Sequence, residues 1–415
     1  MLYIYALGTL WTASARIITA VIGAGVLSLA WSFAQLGWAI GVATLLTFAS
    51  ITFYTSSLLA ECYRSPLTGK RNYTYMQAVQ ATLGGKMYVA CGVAQYALQI
   101  GLIIGYTIAA AISMVAIQQS HCFHRRGHEA SCQFSHKPYM IGMGLFEMVV
   151  SQIPNIGKVW GLSVMASVMS FGTTLTGIEV GPGLTAAQKM WRMFRAFGDM
   201  LICCSYSAVL IEIQDTLKSS KSEIKVMKKV DMMTALIMTF FYLLCACFGY
   251  AAFGNNAHGN MLTGFGFFEP FWLIDLANIF IAMRLLGAYQ VLTQPVFVAA
   301  ESHIRKRWPK SKFITREYPI SIGKINLNLN INFFRLTWRT MFVVIANLLA
   351  LALPFFNEVL AFRGAISYWS LTVYFPVNMW FGLQAMNLAC LLLSLAAACG
   401  SIEGFGEALH IFKPK

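Results

Sequence analysis

Two short strings set glycine, small or polar residues in the middle of long apolar runs. The first is Ile22-Gly23-Ala24-Gly25-Val26, within the apolar run 17–27. Two glycines at such a place cost helix stability. They also let the backbone unwind, which a membrane interior tolerates only where the segment lines a cavity or other protein. An unwound turn bares amide N–H groups at the start of a half-helix, and those groups attract a carboxylate. The second string is Cys203-Cys204-Ser205-Tyr206-Ser207, shortly after Gly198-Asp199. Close helix packing through small residues accounts equally well for the glycine pair taken alone. The matching polar break in the second string favours a substrate site built between two interrupted helices.

Other polar groups also lie within apolar runs. Tyr106, Thr107, Tyr289, Gln290 and Gln294 are each, taken singly, ordinary helix-to-helix hydrogen-bonding groups, and Tyr106 is carried as a candidate substrate contact. Asp199 and Asp275 supply the two intraspan carboxylates an aspartyl protease needs, but neither stands in a Tyr-Asp or Gly-x-Gly-Asp setting. There is no HExxH zinc string and no GxSxG nucleophile elbow. The chain reads as a non-enzyme, with no catalytic residue, no metal ligand and no cofactor. No filter-like repeat or acidic ring points to a channel.

The elements that would position these residues follow from composition. The 415 residues are 58% hydrophobic and only 11% charged, with a mean hydropathy of +0.63; a soluble domain carries about 25% charged residues. Apolar runs long enough to cross a bilayer predict eleven spans, at 12–36, 39–61, 88–118, 139–154, 159–178, 192–214, 231–253, 271–300, 336–354, 358–379 and 384–402. The fourth is short and the fifth is diluted by Gly172, Thr173, Thr174, Thr176 and Gly177. The last two share one apolar stretch with no charged loop between them, so a tight turn is expected near Gly382. The net charge of +14 is concentrated in alternate loops: Arg64, Lys70, Arg71 and Lys86; Lys218, Lys221, Lys225, Lys228 and Lys229; Arg305 to Lys324. These read as solvated loops facing lipid phosphate, not as a nucleic-acid surface. Basic loops stay cytosolic, which puts the N-terminus in the cytosol and the C-terminus outside. Met1 to Leu10 lacks the cationic start and cleavage pattern of a signal peptide. Cys122 and Cys132 share a loop on the outer side, where disulfides persist, and form a candidate bridge. The sequon Asn72-Tyr73-Thr74 falls in a cytosolic loop and is expected to stay unmodified.

Several longer strings carry a resemblance. WTASARIITAVIGAGVLSLAWSFAQLGW (11–38), GKRNYTYMQAV (69–79), IGYTIAAAISM (104–114), FGNNAHGNMLTGFGF (253–267), GAYQVLTQPVF (287–297) and LTVYFPVNM (371–379) resemble the plant amino acid permeases, a branch of the amino acid/auxin permease family. The resemblance covers nearly the whole chain. It implies an all-α membrane protein with a LeuT-like fold: a 5+5 inverted repeat of transmembrane helices plus an eleventh helix. On that scheme 1–11 is a short N-terminal segment, 12–178 and 192–379 are the two repeats, 384–402 is the eleventh helix and 403–415 is a tail. It implies proton-coupled import of amino acids across the plasma membrane, with amino acid, protons and the bilayer as partners. It also implies that the turn 22–27 takes the substrate carboxylate and that the Ser205–Ser207 break faces the same site; the paired loop cysteines match the family too.

The chain departs from the family in places that matter for coupling. Members generally have His where this chain has Arg16, in span one, and Arg284, in span eight. Histidine exchanges a proton near neutral pH, whereas arginine keeps its charge. Each Arg then needs a partner or a wet cavity, and Glu147 in span four is a candidate partner. Arg16, Arg284, Glu147 and Asp199 are therefore the coupling or gating candidates. Ala24 stands where a Ser is usual and Cys204 where an aromatic is usual, and span five and the segment between spans ten and eleven are shortened. The alternative reading is a non-transporting amino acid sensor, or a degenerate, uncoupled permease copy on the same fold.

Overall fold

The computed structural model describes residues 10, 13–14, 17–18, 24–65, 69–127, 132–152, 186–215, 217, 223–257, 259, 271–316, 318–321, 328–380 and 383–412. Predicted span five, Arg16, Ile22, Gly23 and the expected turn at Gly382 lie outside them. The described residues are dominated by helix, and seven of their helices are long and apolar enough to cross a membrane. Hydrogen bonding within each helix is what allows a chain this apolar to sit in lipid, where unpaired backbone groups are costly.

A 3₁₀ turn, Ala24–Ser28, leads into α1, Leu29–Glu61. Inside α1, Gly37 has φ 75° and ψ 173°, a left-handed conformation that side-chain-bearing residues avoid. That kink divides the helix where predicted spans one and two part. Next come α2 (Tyr75–Leu83), α3 (Gly85–Arg126), α4 (Lys137–Val150), α5 (Ala186–Cys204), α6 (Ser207–Gln214) and α7 (Glu223–Phe253). The remainder is α8 (Phe271–Arg307), α9 (Lys312–Thr315), the antiparallel pair β1 (Tyr318–Ser321) and β2 (Asn328–Ile331), α10 (Phe333–Ala352), α11 (Phe356–Ser367), a π-helical stretch Tyr368–Tyr374, α12 (Phe375–Met379) and α13 (Gln384–Phe412). α13 continues about ten residues past the predicted end of span eleven, so 403–412 is helix rather than tail. Gly400 and Gly404 let its backbone lie against Phe194 and Arg195 of α5.

The chain forms two compact units that cut across the two predicted sequence repeats. The first comprises Met1–Gly101, Ser167–Gly266 and Phe355–Lys415. In it α1 packs on α5 and α7, while α5 packs on α11 and α13. The crossing of α5 and α11 is very tight: a Cβ on Gly198 would sit 2.5 Å from the Ala361 carbonyl oxygen, and one on Gly364 would collide with the Gly198 carbonyl. Tyr63, Tyr75, Tyr206, Leu210, Ile211 and Phe375 belong to one buried cluster. The π-helical stretch is fastened on both sides. Tyr75 Oη donates to the Leu371 carbonyl at 2.7 Å, and Tyr368 Oη donates to the Phe48 carbonyl at 2.9 Å.

The second unit comprises Leu102–Ala166 and Phe267–Pro354. Here α4 packs on α10, and the bare face of Gly144 admits Asn347, whose Nδ2 donates to the Met140 carbonyl at 3.0 Å. Arg339 is buried between Glu301 (Nε to Oε1, 3.0 Å) and the Ser151 carbonyl (Nη1, 2.8 Å). Cys122 and Cys132 are joined by a disulfide at the end of α3.

Candidate functional site

Helix six of the sequence reading is interrupted. α5 stops at Cys204, α6 starts at Ser207, and Ser205 and Tyr206 belong to neither. The reason is local: two cysteines followed by serine, tyrosine and serine offer weak helix propensity and side chains that bond elsewhere. Ser205 Oγ lies 2.7 Å from Ser367 Oγ and 3.2 Å from Thr372 Oγ1, tying the break to the helix that carries the π-helical stretch. Tyr206 is buried, and its hydroxyl donates to Asp231 Oδ1 at 2.7 Å. Ser207 Oγ is fully buried with no hydrogen-bond partner among the described residues. At the start of α6 the N–H of Val209 turns back to the carbonyl of the N-cap Tyr206 at 3.2 Å.

The first string meets the break at Gly25. A Cβ there would sit 3.0 Å from both Cys203 Sγ and Ile202 Cγ2, so glycine sets how closely the 3₁₀ turn approaches α5. Val26 is buried beside it, and Ser28 Oγ donates back to the Gly25 carbonyl at 3.0 Å. Ala24 opens the 3₁₀ turn. Thr52, Cys204, Tyr206, Ala235, Met238 and Tyr242 border a cavity of about 20 Å³ beside the break. That is room for about one water molecule and too little for an amino acid.

The remaining sequence candidates fall elsewhere. Tyr106 is buried on α3 within the second unit. Glu147 and Arg284 are buried in that same unit. The residue that reaches Glu147 is Gln290, through Nε2 to Oε2; among the described residues no ion pair joins Glu147 to Arg284. Among the described residues Glu147 thus meets a neutral amide donor from the helix that also carries Arg284, and Arg16, the other cation it was a candidate partner for, lies outside them. Asp199 lies in the first unit, fully buried, with no hydrogen bond to either carboxyl oxygen among the described residues. The cation one turn before it, Arg195, gives Nη1 to Glu358 at 2.8 Å and stacks over Trp31 with its guanidinium carbon 4.5 Å from the ring centre. Asp275, the other intraspan carboxylate, lies 3.2 Å from His121 Nε2.

Two loop expectations change. Arg64 and Arg71 are not simply solvated: they hold the two carboxylate oxygens of Glu223 at 2.9 and 2.8 Å, at the first residue of α7. Beside them Tyr63 Oη donates to Asp215 at 2.8 Å. Burial and that carboxylate push the Tyr63 hydroxyl well above the ordinary tyrosine range, so it remains a donor throughout the physiological range. The Asn72 side chain is buried and donates to the Cys62 carbonyl at 2.9 Å, while Thr74 caps α2 by accepting from Gln77 N. In the folded chain that amide is therefore a structural group of the loop.

One polar group escaped the sequence reading. Asp231 is the first residue of predicted span 231–253, just after Lys228 and Lys229. α7 in fact begins at Glu223, which places Asp231 about two turns inside it and fully buried. The signal available was the helical spacing of Met227, Val230, Asp231 and Thr234, all on the buried side.

Comparison with known proteins is consistent over the whole chain. Residues 7–389 match the family described as transmembrane amino acid transporter protein. Amino acid permease 1 of Arabidopsis thaliana is 51% identical, the alignment covering 98% of this chain and 91% of that protein. Amino acid permease 6 of the same plant is 50% identical, covering 98% and 92%. Among solved structures, MhsT in complex with L-phenylalanine is 10% identical, with a TM-score of 0.49 over 93% of this chain and 98% of that one. With a matching family over most of its length and relatives at half identity, the chain belongs to the transmembrane amino acid transporter family.

Proposed function

We propose that this chain is a secondary active transporter that imports amino acids across the plasma membrane, coupled to protons, with its N-terminus in the cytosol and its C-terminus outside. The fold in this reading is the LeuT-like 5+5 inverted repeat with an eleventh helix. The substrate carboxylate is received by the turn Ile22–Val26, and the opposite wall is the break at Ser205, Tyr206 and Ser207. The observation that carries the reading is the break itself, two non-helical residues in a buried apolar helix with Gly25 against the residues before it. Irregular backbone in a membrane is retained where it lines a cavity, and transporters place their sites at such breaks. Alternating access would open a volume that here admits about one water.

The test is uptake of a panel of labelled amino acids by reconstituted protein, with and without an imposed proton gradient. Uptake that the gradient drives supports the whole reading, and binding with no uptake under any gradient overturns it. Arg16 and Arg284 cannot titrate. Transport is therefore expected to respond less steeply to external pH than in relatives with His at those positions, and the response that remains belongs to carboxyl groups. A response as steep as theirs contradicts this.

A further inference from the structure

Asp231 sits at the junction of three elements of the first unit. It has no exposed surface. Its Oδ1 accepts from Tyr206 Oη at 2.7 Å, and its Oδ2 accepts from Ser57 Oγ of α1 at 3.2 Å. Tyr206 Oη in turn accepts from Ser56 Oγ at 3.2 Å. These donors are neutral. The titratable and charged groups that face the carboxyl are Tyr206 from the helix break and, a turn away, Glu61 of α1 and Lys228 of α7, which are paired with each other. The cavity beside the break touches Tyr206 and Thr52 on one side and Ala235, one turn after Asp231, on the other.

A carboxylate in such a place is stabilised only by the hydroxyls aimed at it. One of the two, Tyr206, belongs to the break between α5 and α6, where turn bonds (Ser205 N to the Ile202 carbonyl at 3.3 Å, Val209 N to the Tyr206 carbonyl at 3.2 Å) take the place of the α-helical ladder. If the break moves, the carboxyl loses a donor that favours its charged form, and the balance tips toward the neutral acid. We propose that Asp231 is the proton-binding group of the transport cycle, and that Tyr206 is the positioning residue that links its protonation to the conformation of the helix break. In the conformation described here Asp231 is the acceptor and carries no transported proton. When Tyr206 withdraws, one carboxylate oxygen takes up one proton, delivered through water in the enlarged cavity. When Tyr206 returns, the same O–H bond breaks and the proton leaves. One proton moves with each zwitterionic amino acid, so one positive charge crosses per substrate.

The inference rests on the reading of the chain as a proton-coupled amino acid transporter, and one experiment separates the two. Reconstituted full-length protein is assayed for charge moved per labelled amino acid over an external pH series. The unmodified chain is expected to move charge with substrate. In Asp231→Asn the charge per amino acid is lost, whatever the rate, and Asp231→Glu restores it. Should the unmodified chain move amino acid without charge, the coupling reading falls and Asp231 with it. If the unmodified chain moves charge and Asp231→Asn moves the same charge with the same pH profile, only the assignment to Asp231 falls. Tyr206→Phe keeps the ring and removes the donor; it is expected to shift the midpoint of the profile to higher pH, a shift that loss of packing alone does not give. An unmoved midpoint overturns the proposal even where Asp231→Asn is inactive.

Discussion

Asp199 and Asp231 are equally hidden and oppositely equipped. Both lack exposed surface. Asp231 has a hydroxyl donor on each oxygen, and one donor comes from the interrupted part of helix six. Asp199 has no donor on either oxygen among the described residues, and it lies within the continuous helix α5 beside Gly198, whose backbone is in close contact with Ala361 and Gly364. Burial by itself therefore does not mark a working acid. What differs is whether the groups around the carboxyl can be withdrawn. Around Asp231 a donor sits on the non-helical break, whose backbone is held by turn bonds, Ser205 N to the Ile202 carbonyl and Val209 N to the Tyr206 carbonyl; around Asp199 the backbone is locked by a contact with no room for a methyl group.

The sharpest way to probe the locked side is Arg195→Leu. It removes the partner of Glu358 from a site where both side chains are largely buried, together with the stack on Trp31. Breaking one half of a buried pair costs about 3–5 kcal/mol. A large fall in the thermal stability of purified protein is expected, and a small one would mean that the crossing of α5, α11 and α13 does not depend on this pair. A smaller effect is expected at the meeting of the two strings. Gly25→Leu forces a side chain into a gap where even a Cβ reaches Cys203 and Ile202 at 3.0 Å. Overpacking of that kind costs about 1–3 kcal/mol. The protein should still insert, while binding of labelled amino acid is lost because the turn no longer seats against α5. Unaltered binding would remove the turn from the substrate site.

The same contrast shows what a linear reading can reach. The break at 205–206 was legible because it rests on a local property, residues that bond away from the helix, and the parting of predicted spans one and two falls where Gly37 kinks α1. Asp231 was not, because hydropathy marks the length of helix that faces lipid and not the length that is hydrogen-bonded. Glu223 to Lys229 depress the average although they are helical, and Glu223 is itself paired with Arg64 and Arg71. The overrun of α13 to Phe412 has the same cause, with polar residues carried on a helix that sets Gly400 and Gly404 against α5. Partners far apart in the chain were beyond reach for a different reason. Glu147 lies in the same unit as both Arg284 and Gln290, residues on one helix; which of them reaches it depends on helix rotation, which no single-chain periodicity fixes. The two compact units are likewise products of long-range packing, each drawing on both halves of the sequence.

The smallest expected effect is the most discriminating. Asp199→Asn changes neither size nor shape, and among the described residues no hydrogen bond to either oxygen is there to be lost. The stability change should stay below about 1 kcal/mol, the scale of a single hydrogen bond. The pH profile of transport should match that of the unmodified chain, because no donor near Asp199 sits on a segment that can be withdrawn. Asp231→Asn, an identical chemical change on a carboxyl buried to the same degree, should abolish charge movement. If the two variants behave alike, burial and not donor geometry governs these acids. If the profile flattens in Asp199→Asn alone, the proton is carried beside Arg195 and Glu358, and the hydroxyl network around Asp231 is packing.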